Sequence, residues 1–272
     1  MAQRSFLKNT VRFLLPVSAA PLLFCSNNQP VPPTGMPVWA DDGSEIACAV
    51  NREMFDAGLF MNHETEQKYD LVLYNDQGEK VKTILSGRMV DGYTSSVEEI
   101  YYMKTRGYLL VKTLMYNSGG QLYEKIDLDG KSTRLFHLPC EAITDKVIMV
   151  PSPAGTFIAK AYLKNSGPDY RCRVTFLDST GTTPVDSTDE FTVSYTNDMR
   201  WRSDSVLELI SGSSMKVIGR SMEVRDSSGA FCTMPATSSS AFREGKGYIA
   251  FNGGDESITF ADAPPVFLKW CR

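Results

Sequence analysis

Residues 37–50 read PVWADDGSEIACAV. A short apolar run carrying Trp39 meets Asp41-Asp42-Gly43, and a second apolar run, Ile46-Ala47-Cys48-Ala49-Val50, follows at once. Asp-Gly reaches the positive φ angles of a tight hairpin at little cost, so strand, Asp-Gly, strand is a hairpin with a mechanism behind it. The apolar neighbours of Cys48 mark it as a small buried hydrophobe rather than a disulfide partner.

Looser copies of the hairpin recur. Residues 69–74 and 80–85 flank Asn75-Asp76-Gln77-Gly78, residues 97–103 and 108–115 flank Lys104-Thr105-Arg106-Gly107, and residues 121–127 and 132–138 flank Leu128-Asp129-Gly130-Lys131. A third set, 146–150, 156–163, 171–177 and 183–185, turns at Gly155 and Gly181. A fourth, 198–202, 206–210, 216–225 and 231–234, turns at Ser203-Asp204-Ser205 and at Asp226-Ser227-Ser228-Gly229. A weaker fifth runs through 239–242, 248–252, 257–260 and 266–270.

The outer-turn glycines 78, 130, 181 and 229 recur with a period of about 50 residues, and four short strands per such period is the sequence pattern of a propeller blade. The expected fold is all-β, a β-propeller of about five four-stranded blades. A β-sandwich is the competing architecture, but it leaves the period unexplained. Strands do not alternate with helices, which argues against an α/β fold.

PVWADDGSEIACAV resembles the P-x-W-S-P-D-G-x-x-I-A pattern of TolB-like, WD-like propeller repeats. Residues 150–159, VPSPAGTFIA, resemble the same pattern, and Arg200-Trp201-Arg202-Ser203-Asp204-Ser205 is a degraded copy. The resemblance implies that the tryptophan strand is innermost, that Trp39 packs between blades, and that the D-x-x-G turn joins the outer two strands. It also implies six blades, whereas this chain supplies material for five and shows no N-terminal strand to complete the last one.

The chain has 272 residues, of which 42% are hydrophobic and 22% charged, with a net charge of −4. No Lys/Arg cluster lies beyond the first dozen residues, so the basic footprint of a nucleic-acid binder is missing. Arg4, Lys8 and Arg12 precede the apolar run FLLPVSAAPLLF, residues 13–24, which reads as a signal peptide over residues 1–24 and is too short to span a membrane. Val17-Ser18-Ala19 offers a small-residue cleavage site. Leu22-Leu23-Phe24-Cys25-Ser26 instead resembles a bacterial lipobox, in which Cys25 is lipidated, although bulky Phe24 departs from that pattern. An Arg-bearing mitochondrial presequence is a further reading. Residues 25–36 form a polar, proline-containing tether, and residues 37–272 the propeller. Cys25, Cys48, Cys140, Cys172, Cys232 and Cys271 show no metal-like doublet, and their spacing assigns no disulfide.

No nucleophile elbow, P-loop, dinucleotide fingerprint or zinc-protease motif occurs, so no catalytic residue, metal or cofactor is assigned. His63 sits in a polar insertion and His137 on an alternating outer strand, both better read as structural or solvated. Asp127-Leu128-Asp129-Gly130 lacks the rest of a calcium loop and reads as an Asp-stabilised turn. Glu98, Glu99, Asp145 and Asp198 lie near the starts of inner strands, where a pair of funnel carboxylates would suit a glycosidase or lyase.

The insertion at residues 51–68 interrupts the repeat. Its Met54, Phe55, Leu59, Phe60 and Met61, with Met89 and Tyr93 of the following blade connection, would share one face as a candidate binding surface. Phe55 and Leu59, spaced i and i+4, would alternatively form a helical turn capping the channel. The expected function is an exported, lipid-anchored, non-catalytic module that binds an envelope protein or glycan on the periplasmic side of a bacterial membrane or at the cell surface. A polysaccharide-acting enzyme is the alternative.

Overall fold

The first hairpin forms as its turn chemistry dictates. Gly43 takes φ +72°, and Asp42 Oδ1 accepts the Ser44 backbone N–H at 2.9 Å and the Ser44 hydroxyl at 2.7 Å. The computed structural model describes residues 29–30, 32–55, 66–115, 120–139, 144–194, 198–211, 214–219, 221–228, 240–243 and 245–261.

Five antiparallel meanders follow one another. Blade one holds β1 (Gln29–Pro30), β2 (Thr34–Trp39), β3 (Glu45–Phe55), β4 (Glu66–Asn75) and β5 (Lys80–Arg88). Blade two holds β6 (Ser95–Met103), β7 (Tyr108–Met115), β8 (Gly120–Asp127) and β9 (Ser132–Leu138). Blade three holds β10 (Lys146–Pro151), β11 (Phe157–Asn165), β12 (Tyr170–Asp178), β13 (Pro184–Ser187) and β14 (Phe191–Val193), the last two sharing the outer edge of β12. Blade four holds β15 (Asp198–Ser203), β16 (Val206–Ser211), β17 (Ser214–Gly219) and β18 (Val224–Ser228). Blade five holds β19 (Ser240–Arg243), β20 (Gly247–Asn252) and β21 (Ser257–Ala261); its expected fourth strand, 266–270, lies outside the described residues.

Each sheet is buried on the faces that meet its neighbours. Ala49, Leu71, Val97 and Leu109 join blades one and two, Leu110, Tyr123, Met149 and Ile158 join two and three, and Val150, Phe176, Met199 and Leu209 join three and four. Trp39, Cys48 and Tyr74 of blade one pack against Ile249, Phe251 and Ile258 of blade five. A sandwich has one core between two sheets, whereas here successive sheets meet in a series of cores, so the architecture is a propeller. Trp39 lies between blades as expected, 7% exposed, its ring 6.2 Å from that of Phe260. Cys48 and Cys172 are free thiols in two different inter-blade cores.

Three elements differ from the sequence reading. The fourth outer hairpin does not turn at Gly229: β17 ends at Gly219, Met222 takes φ +59° and donates its N–H to the Gly219 carbonyl at 3.0 Å, and Asp226-Ser227-Ser228 are strand. The Asp-Ser-Ser-Gly string is good turn chemistry, but pairing of Lys216 with Asp226 and of Val217 with Arg225 outweighs it. Phe55 does not start a helical turn either. It ends β3, whose ladder with β4 continues to Met54 opposite Glu66, because strand pairing satisfies these backbone groups directly. Finally, Thr34, Gly35 and Met36, within the stretch read as tether, belong to β2, while β1 pairs with the far end of β3.

Blade five is tied to blade one by charge as well as by packing. Arg52 donates to both Glu256 oxygens, at 2.6 and 2.9 Å, and to Asp70 Oδ2 at 2.7 Å. The Arg52 hydrogen bonds hold the Glu256 carboxyl below its usual value of 4.5, against the opposing effect of burial. A lowered carboxyl pKa contributes stability above the unfolded value and loses it as pH falls through the folded one. Amide-exchange protection of β19–β21 is therefore expected to fall once the pH drops below 4.5, ahead of protection in blades two and three. Glu256→Gln should abolish that step, and equal acid sensitivity of all blades would contradict it.

Candidate functional site

The inner strands β2, β6, β10 and β15 line a central opening, and β19 packs beside β2. On one face, the turn face, the hairpin turns form a linked belt. Arg243 of blade five donates to the Ala40 carbonyl and, at 2.7 Å, to that of Asp41 in blade one. The Asp41 carboxylate accepts the Thr105 N–H at 3.1 Å and its hydroxyl, and Lys104 reaches Ser44 Oγ and Glu45, each at 2.7 Å, from blade two. Arg106 donates to the Ala154 carbonyl at 2.9 Å in blade three, and the Ala154 N–H donates to Asp204 of blade four at 2.9 Å. Asp42 serves its own turn, while Asp41 is an inter-blade acceptor.

Within that belt opens a mouth of about 310 Å³ lined chiefly by apolar groups, among them Val38, Tyr101, Val150, Pro151 and Trp201. Trp201 is held by donating its indole N–H to the Val150 carbonyl at 3.2 Å and by packing on Phe176 at 5.5 Å between ring centroids.

The opposite, connection face carries the connection 89–94 between blades one and two and the described far ends of β3 and β4. It holds a cleft of about 450 Å³ between blades one and two, lined by Thr34, Met36, Asn51, Glu53, Glu98 and Glu99 among others. Asn51 pins the cleft wall, accepting the Val97 N–H at 2.9 Å and donating to the Val97 carbonyl at 3.2 Å beside the bulge between Val97 and Glu99. That bulge sets Glu99 opposite Lys112, whose ammonium lies 3.0 Å from Glu99 Oε1 and 3.2 Å from Glu98 Oε2. Burial raises the Glu99 pKa; Lys112 opposes this, while Glu98 and Asp198 add to it. One third of the side chain meets solvent inside the cleft, yet the surrounding protein still desolvates the carboxyl. Burial alone would lower the Lys112 pKa, but Glu99 and Glu98 leave it raised. Tyr101, two residues along β6 from Glu99, is pushed well up by burial and then by Glu99 and Asp198, so its hydroxyl stays protonated.

The sequence-derived residues divide accordingly. Glu98 and Glu99 share one ammonium and one cleft, and Asp198 lies close enough to influence Glu99. Asp145 is separate, accepting the Tyr162 hydroxyl at 2.6 Å and the Asn165 N–H at 3.0 Å within blade three. Met89 is half-buried and Tyr93 is 40% exposed on the connection face. Met54 and Phe55 stand in β3 without described side chains; Leu59, Phe60, Met61, His63 and Cys25 lie outside the described residues. His137 is exposed on β9, and Asp127-Leu128-Asp129-Gly130 forms a turn with the Gly130 N–H on the Asp127 carbonyl at 2.9 Å. Among the described residues no group of three or more His, Cys, Asp or Glu has metal-holding geometry. Lys112 and Asn51 were not picked out from the sequence, since their roles depend on a bulged register and on a contact across blades.

No family model matches the chain, and no curated protein matches it. Among solved structures it is similar to an oligogalacturonate lyase in complex with manganese, at 11% identity and a TM-score of 0.50, over 85% of this chain and 63% of that one. It is also similar to Porphyromonas gingivalis dipeptidyl peptidase 4, at 13% identity and a TM-score of 0.38, over 70% of this chain and 30% of that one. A third similarity is to dihydro-heme d1 dehydrogenase NirN in complex with DHE, at 13% identity and a TM-score of 0.31, over 84% and 65%. The chain thus spans less than two thirds of the lyase's length. At such identity the likeness to the lyase concerns the fold alone, which is an all-β propeller.

Proposed function

We propose that the protein is an exported propeller of the TolB-like kind, anchored by lipid at Cys25, which acts as a non-catalytic binding module for an envelope protein or glycan. It would work on the periplasmic side of a bacterial membrane or at the cell surface, with the connection face as an interaction surface. The observation that supports this best is how the candidate acids are used. Asp145 is tied to Tyr162 and Asn165, and Glu98 and Glu99 divide a single Lys112 between them. Acid–base cleavage of a glycan needs one carboxyl free to donate and another free to accept, placed across the scissile bond. Acids neutralised on one wall serve charge balance and polar recognition instead.

The test has two parts. Cys25→Ser should abolish palmitate labelling and move the protein to the soluble fraction, and unchanged fractionation would reject the anchor. Charge-neutralising Glu98→Gln, Glu99→Gln and Asp198→Asn, one at a time, should leave any turnover of acidic oligosaccharides at the level of the parent chain.

One observation favours the enzyme reading. Glu99 is biased toward its protonated form beside Glu98 and Asp198, as a general acid would be. Turnover of acidic oligosaccharides that vanishes in Glu99→Gln alone would decide for it.

A further inference from the structure

The described chain enters the propeller at the far end of its longest strand. Gln29 lies opposite Phe55 and Pro30 opposite Met54, so β1 runs along the part of β3 that continues past the cleft residues Asn51 and Glu53. This is the connection-face end of β3, since its other end, Glu45, leaves the Asp42-Gly43 turn of the turn face. The loop carrying half-buried Met89 and exposed Tyr93 opens on the same face.

The spacing in the chain then has a geometric consequence. Four peptide steps separate Cys25 from Gln29, and a fully extended chain covers at most about 14 Å in that distance. An acyl chain on Cys25 lies in the bilayer, so Gln29 stays within that reach of the headgroups. Because Gln29 is fixed by its ladder to Phe55, the connection-face end of blade one is held near the bilayer with it.

We propose that the partner of the connection face is the lipid surface itself, with the tether holding the β3–β4 end of blade one and the Tyr93 loop against the headgroups. The inference rests on the lipid-anchored reading above, adds an orientation to it, and gives the connection face to lipid and not to the envelope protein or glycan. The chemistry of the rim agrees. An exposed tyrosine presents an apolar ring with a polar tip, which suits the headgroup boundary. The acids Glu53, Glu98 and Glu99 line a cleft that ends short of the last residues of β3, and Lys112 offsets part of the charge of Glu98 and Glu99. An envelope protein or glycan then meets the opposite mouth, where Trp201 and Tyr101 line the channel between the linked hairpin turns.

Single cysteines added to the full-length chain test the orientation, one at Tyr93→Cys on the connection face and one at Asp129→Cys in an exposed outer turn of the other face. Each is exposed to a bulky polyethylene-glycol maleimide and read as labelling above that of the parent chain. In membrane-held protein Tyr93→Cys should lose its labelling while Asp129→Cys keeps it, and Cys25→Ser release should restore Tyr93→Cys. A Gly/Ser insert of about 20 residues between Ser26 and Asn27, with a reach of about 25 Å, should also restore labelling while leaving the protein membrane-bound. Equal labelling of both positions in palmitate-bearing protein overturns this proposal alone. Absence of palmitate overturns the anchored reading and this one together.

Discussion

Arg88→Met is expected to lower the unfolding free energy by about 3–5 kcal/mol, the usual cost of stranding one partner of a buried ion pair. Arg88 ends β5 in blade one and reaches across to blade two, where its Nη2 lies 2.6 Å from Glu124 Oε1. The Glu124 side chain is only 4% exposed and that of Arg88 20%, so water offers the stranded carboxylate little compensation. The surroundings add to the cost. Tyr69 and Thr113 are fully buried nearby, and burial pushes the Tyr69 hydroxyl up to about 12 while the Arg88 charge opposes that rise. Glu124→Leu alone should be similarly harmful. Arg88→Met with Glu124→Leu should recover most of the loss, because an apolar pair of like volume avoids desolvating either charge. Urea midpoints at constant m-value measure all three. A single variant within 1 kcal/mol of the parent, on the order of an exposed pair, would show that water reaches the site after all.

Gly35→Ala is expected to release blade five. A Cβ at Gly35 would lie 2.2 Å from Cγ and 2.7 Å from Cβ of Phe251, and no rotamer change moves that Cβ. Across the same seam, a Cβ on Gly253 would stand 2.0 Å from the Pro33 carbonyl oxygen. Two glycines thus let the start of β2 and the end of β20 approach to backbone distance. Overpacking of this kind costs about 1–3 kcal/mol, concentrated at one seam. Hydrogen exchange should show lost protection in β19–β21 with β6–β12 nearly unchanged. Phe251→Ala costs about 3–5 kcal/mol alone, from cavity formation. Adding Gly35→Ala to it should cost much less than in the parent, and simple additivity would show that the two residues do not meet.

These two sites mark where local sequence stops informing. Strands bounded by good turns were legible: Tyr108–Met115 follows the turn at Gly107, Ser132–Leu138 follows the turn at Gly130, and both have the expected bounds. The fourth outer hairpin was misplaced because its true turn puts Met222 in left-handed φ while a better turn string waits a few residues later. Glu98 and Glu99 were legible as acids at an inner-strand start. Their common ammonium was not, because the bulge at Val97 shifts the register by which Lys112 meets Glu99. Arg52 with Glu256, and Asn51 with Val97, join residues from different blades, and no local pattern encodes such pairs.

Among the described residues, the free thiols of Cys48 and Cys172 form a built-in clock for the opening of two seams. Cys48 and Cys172 are both fully buried, and burial pushes both thiols up, the second to about 12, so neither is a ready nucleophile while the blades stay packed. Cys48 is shielded where blade five meets blade one and Cys172 where blade three meets blade four. Alkylation of each therefore times the parting of a different seam, and the order in which the two masses shift reads out the sequence of disassembly in the unaltered chain.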